Sequence, residues 1–184
     1  MLYITFSIAS EAKFKDFQKL YEYMCTVRQP GYEAPEYELD FETATEQEIQ
    51  DSIDGYPGKR PVYQQYIPDY ADEFIKSYLA FDNNLTALPD LDILSILNYL
   101  EYGFEVDLDR LETTEPGKGI VEFSTGNYPY GGMERFLIVL KGFGFMPEEC
   151  FNGFQVYAFK WISDFHHEAI SLPEKTEAYL KQFQ

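Results

Sequence analysis

Residues 131–143 constrain this chain most. From Gly131 to about Phe143 runs a helix-length segment whose apolar residues fall nearly all round a helix. A helix with one apolar stripe can lie on a surface, but one apolar all round has to be covered on every side. This segment is therefore expected deep in the core. A chain of 184 residues suits one domain and can bury roughly 70% of its unfolded surface.

Other segments alternate with a period of two or recur at helical spacing. Residues 2–8 run apolar like a strand, and the N-terminus lacks the basic start of a signal peptide. Ser10 can cap a following helix, in which Phe14, Phe17, Leu20, Tyr21 and Met24 recur at helical spacing until Gln29-Pro30-Gly31. In residues 36–42, Tyr37, Leu39 and Phe41 point one way and four acids the other, as on a half-buried strand. Thr43 or Thr45 caps a short helix to about residue 54, and Gly55-Tyr56-Pro57-Gly58 turns the chain. Residues 62–67 read as a short strand. Pro68 opens a helix to about residue 81, with Phe74, Ile75, Tyr78 and Leu79 inward. Asp90 caps another helix that Gly103 stops. Residues 104–111 and 119–124 form a hairpin through Glu115-Pro116-Gly117-Lys118, residues 155–161 a strand, and residues 173–183 an amphipathic helix. The expected fold is α+β: a mixed or mainly antiparallel sheet of about five or six strands packed by helices. Residues 1–184 make one domain, with the helix-rich acidic middle, residues 43–102, as an insertion or lobe.

Charge is concentrated in that middle. Between Tyr32 and Glu115, 21 acids meet only Lys59, Arg60, Lys76 and Arg110, so 17 of the 18 net negative charges lie there. Such imbalance speaks to partners and solubility. An aromatic content of 18% argues against a solvated, disordered chain.

The acidic alternation at Glu36, Glu38, Asp40 and Glu42 recurs at Glu105, Asp107 and Asp109. Carboxylates two apart on a strand lie about 7 Å from each other and repel by about 0.6 kcal/mol in water. Three readings follow: a solvated face that discourages edge pairing, a docking face for a basic protein or peptide, or a calcium loop. The last fails, because Arg110 stands where the loop needs glycine and Pro116 where it needs glutamate. Tyr32, Tyr37, Tyr56, Tyr63, Tyr66 and Tyr70 lie in the same region, suited either to an interface or to burial.

Catalytic signatures fail in turn. The loop Thr125, Gly126, Asn127, Tyr130, Gly131 and Gly132, with Arg135 beyond it, can cradle an anion at a helix start, yet it matches neither nucleotide fingerprint. His166 and His167 are adjacent, so they cannot share a helical face as zinc ligands do, and they read as a surface turn. Cys25 lies late in a helix and Cys150 follows two glutamates, settings that disfavour a thiolate. Neither lies in a CxxC, which suits reduced cytoplasmic thiols, with one disulfide between them as the alternative. No residue is assigned a catalytic, metal or cofactor role. No apolar run is long enough for a membrane span, and direct nucleic-acid binding is disfavoured by the charge. The reading is an acidic cytoplasmic module for a basic partner, of inhibitor, immunity or nucleic-acid-mimic type. The alternatives are a small-molecule enzyme or ligand binder using the 125–132 loop, and a structural subunit whose charge serves solubility.

Overall fold

The structure is a computed structural model and describes residues 1–33, 40, 42–46, 49, 65–82, 106–124 and 133–183. Its centre is β1 (Leu2–Ser7), flanked by two groups of later strands. On one side lie β3 (Lys118–Ser124) and then β2 (Asp107–Glu115). On the other lie β4 (Met146–Phe151), β5 (Val156–Trp161) and β6 (His167–Ser171). The sheet among the described residues is thus six-stranded, in the order β2-β3-β1-β4-β5-β6, and every pairing is antiparallel. The expected α+β class is what the chain adopts.

Alternation along β1 divides the molecule. Ile4 and Phe6 point into the main core, whereas Tyr3 points to the opposite face. On the main face lies α1 (Glu11–Val27), capped by Ser10, whose hydroxyl accepts from the Lys13 N–H at 3.4 Å. Phe14, Phe17, Leu20 and Met24 face inward as expected; Tyr23 is buried and Tyr21 only half-buried. The all-round apolar segment is α3 (Met133–Gly142). Phe136 stacks on Phe123 of β3 at 4.5 Å. On its other side, Ala71 and Ile75 of α2 (Asp69–Asp82) close on Gly142, where a Cβ would stand only 3.4 Å from each. With the sheet on one flank and α2 on the other, the run Phe136 to Leu140 of α3 is buried throughout. Tyr70 ties α2 to α1: its hydroxyl donates to Asp16 at 3.3 Å, and Lys13 lies 4.4 Å from its ring centre. Phe6, Phe17, Phe143 and Phe145 are fully buried between these layers, each contributing about 1.5–3 kcal/mol of burial.

The opposite face carries a smaller cluster of Tyr3, Phe151 and Val156, covered by α4 (Pro173–Leu180), which continues into a 3-10 turn, Lys181–Phe183. Tyr179 contacts Tyr3 at 5.1 Å and Phe151 at 4.6 Å. Thr176 fastens the helix by accepting the Val156 N–H at 2.9 Å.

Several expectations need correction. In residues 36–42, Asp40 and Glu42 are not in a strand: the chain turns, and the Asp40 carboxylate accepts from the Glu42 N–H at 3.0 Å and the Thr43 hydroxyl at 2.9 Å. In the 62–67 segment, Gln65 and Tyr66 form a 3-10 turn instead of a strand, with the Tyr66 ring stacked on Tyr23 at 4.6 Å. The hairpin is longer than read: β2 continues to Glu115, and only Pro116-Gly117 turns, with Gly117 at φ 78°. His167 opens β6 instead of lying in a turn. Strand β4 had no counterpart in the sequence reading. The turn at 55–58, the helix at 90–102, Glu36, Glu38, Glu105 and the loop 125–132 lie outside the described residues.

Candidate functional site

Two places on the sheet carry chemistry, one at each end. The first is β2, the outermost strand on its side, whose residues are exposed apart from the half-buried Leu108 and Leu111. Its acids do not form the even row that strict alternation implies. Asp107 pairs with Ser124 and Leu108 with Phe123, but the next pair is Arg110 with Glu122. Asp109 is the extra residue of a bulge, which bends the strand and re-aims side chains around it.

Arg110 neutralises part of this edge. Its Nε and Nη2 each donate to Glu122 at 2.7 Å, and its Nη1 donates to Glu112 at 2.7 Å. Asp107 and Asp109 have no ion pair among the described residues. The Asp109 carboxyl is held above the ordinary carboxylate range, first by partial burial, then by the Asp107 charge beside it and by Glu122. The N-terminal amine and a hydrogen bond from Ser124 oppose that shift. The two aspartates therefore form a neighbouring pair that no Lys or Arg neutralises among the described residues, on a strand with one free edge among those residues.

The remaining acids of the expected docking face are distributed differently. Asp40 and Glu42 are exposed, but Asp40 is engaged in its own turn. Tyr32, Tyr66 and Tyr70 are half-buried, and the last two are spent on packing and on Asp16. Burial and Asp16 push the Tyr70 hydroxyl up to about 12. Arg135 is half-buried at the start of α3 and is the described member of the loop that was expected to hold an anion.

The second place lies under the turn between β5 and β6. Lys141, in the last turn of α3, is 7% exposed. Its ammonium stands 4.4 Å from the Trp161 ring centre and 6.0 Å from that of Phe74. It reaches Asp164 at 3.5 Å and the Met146 sulfur at 4.0 Å. Aromatic rings wall the space: Phe165 lies 5.3 Å from Phe74 and 5.5 Å from Tyr78, and His167 lies 4.9 Å from Trp161. Trp161 is held in place by its Nε1–H, which donates to the Pro147 carbonyl at 2.7 Å. Between these groups is a cavity of about 80 Å³. One signal pointed to it: Lys141, directly after the apolar run Phe136 to Leu140, must either bury its ammonium or extend past its neighbours.

Cys25 is half-exposed, Cys150 is buried, and neither forms a disulfide. Burial raises the Cys25 thiol, with Arg28 pulling the other way. Among the described residues no helix is long and apolar enough to cross a membrane. No known family model, curated protein or solved structure matches this chain.

Proposed function

We propose that the protein is an interaction module that docks a basic protein or peptide along the outer edge of β2, acting as an inhibitor, immunity-type or nucleic-acid-mimic protein. The proposal includes a cytoplasmic setting, which two cysteines outside any disulfide suit. One observation carries it: the Asp107 and Asp109 pair, without an ion pair among the described residues, at a strand edge with no neighbour among them. An extended basic segment could add to β2 through backbone hydrogen bonds and place its cations against these carboxylates. The formal charge of −18 would draw such a partner in from a distance.

The test is binding of a labelled peptide that alternates Lys with Val, measured by fluorescence anisotropy on the intact chain. At about 7 Å in water, each carboxylate contributes about 0.6 kcal/mol, so D107N/D109N should weaken binding roughly sevenfold. The control, E22Q/E73Q, removes the same charge from exposed positions on α1 and α2. It should weaken binding far less. Binding should also fade toward 1 M salt, where the screening length is about 3 Å. Equal losses in both double variants would reduce the effect to general charge attraction and defeat the proposal.

A further inference from the structure

We propose that the cavity beneath the β5–β6 turn binds a small organic carboxylate, with Lys141 holding the anion and Trp161 forming the flat wall for its apolar body. The site lies at the opposite end of the sheet from β2 and stands independently of the docking edge.

The ammonium of Lys141 is almost wholly removed from solvent, yet its protein partners are weak. Strong bonds from an ammonium to a carboxylate run about 2.7–2.9 Å, whereas Asp164 stands at 3.5 Å and its side chain is 76% exposed. The sulfur of Met146 is a poor acceptor. The Trp161 face steadies the cation without using its hydrogens. Donor capacity therefore remains, aimed into a space walled by rings.

Size and charge narrow the ligand class. A water-sized group needs about 10–15 Å³ of such volume, so the cavity of about 80 Å³ suits a carboxylate attached to a small ring or branched chain. One buried cation matches one negative charge. A phosphate dianion brings a second negative charge that this one lysine does not match, and it would meet the −18 charge of the whole chain. Asp164 acts as a built-in competitor: it offers the same functional group from an exposed turn and can swing into solvent when the ligand arrives.

Trp161 is the single tryptophan of the chain, so its fluorescence reports on this site alone. The intact protein is titrated with sodium benzoate and, in parallel, with benzamide as the neutral counterpart. Benzoate should give a saturable change, with benzamide binding at least about tenfold more weakly, as a lost charge-assisted bond implies. K141M should weaken benzoate by a similar factor while leaving benzamide unchanged. D164N should tighten benzoate several-fold, and as an exposed turn substitution it leaves the core intact even where K141M disturbs folding. The proposal is overturned by any of three results: no saturable change into the millimolar range with either the native chain or D164N, equal binding of benzoate and benzamide, or weaker benzoate binding by D164N.

Discussion

Adding one methyl group at Gly119 should destabilise the protein, although alanine is ordinarily the better strand residue. Gly119 sits on β3 directly opposite Phe6 of β1. A Cβ there would lie 2.6 Å and 2.7 Å from two Phe6 ring carbons and 3.2 Å from the end of Ile8. Comfortable carbon contacts are about 3.5–4.0 Å, so the ring would have to move by roughly 1 Å. Phe6 is fully buried, with Phe145 stacked on it at 5.1 Å and Phe14 at 6.4 Å. Overpacking of this kind costs about 1–3 kcal/mol, and the entropy that alanine recovers offsets about 0.5–1 kcal/mol. G119A should therefore lose about 1–2 kcal/mol and melt about 2–8 °C lower. Urea unfolding followed by Trp161 fluorescence and far-UV circular dichroism measures it. F6L removes the clashing ring, so F6L/G119A should cost less than the sum of its parts by at least about 0.5 kcal/mol. If G119A equals the native chain in stability, or the two changes simply add, the ring is not confined as argued.

Two further predictions concern titrating groups. The folded state holds the Asp109 proton more tightly than the unfolded chain does, so ionisation at neutral pH weighs against folding, and that penalty vanishes once both states are protonated. D109N should accordingly raise Tm at neutral pH, with the gain shrinking as pH falls through the ordinary carboxylate range; a gain that ignores pH would contradict this. Cys25 should react with iodoacetamide with a pH midpoint above that of an unperturbed cysteine, about 8.5, because burial raises its thiol. Cys150 should stay unreactive until the protein unfolds. A Cys25 midpoint at or below the unperturbed value would contradict the assignment.

Where local chemistry and tertiary packing agree, the sequence was readable. The Ser10 cap, the inward stripe of α1 and the buried character of α3 all follow from spacing alone. Strand β4 was hidden because Met146-Pro147-Glu148-Glu149 looks like a loop. It is tolerated because Pro147 falls beside the register shift opposite Phe6, where a missing N–H does little harm. Glu149 is accommodated by the Tyr3 hydroxyl at 2.9 Å and by Lys175. Strand β6 carries five exposed residues, so it has no apolar pattern to detect and exists through its pairing with β5. The acidic alternation misled for two reasons. At Asp40 a side chain capable of bonding its own backbone favours a turn. At Asp109 a bulge inserts one residue and breaks the period. The Lys141 cavity was not legible because three separate stretches of chain meet to form it, and periodicity within any one of them says nothing of the others.

The central position of β1 has a consequence for biosynthesis. Tyr3 bonds to Glu149 across 146 positions of sequence, and the strand's other neighbour, β3, is also made long after it. The strand therefore cannot be paired on both edges until residue 151 has been translated, although Phe14 of α1 can already meet Phe6. Such distant pairing slows folding and exposes the nascent segment to chaperones and to misassociation. Formation of the β1–β3 and β1–β4 pairings, more than of α1, should therefore limit the folding rate.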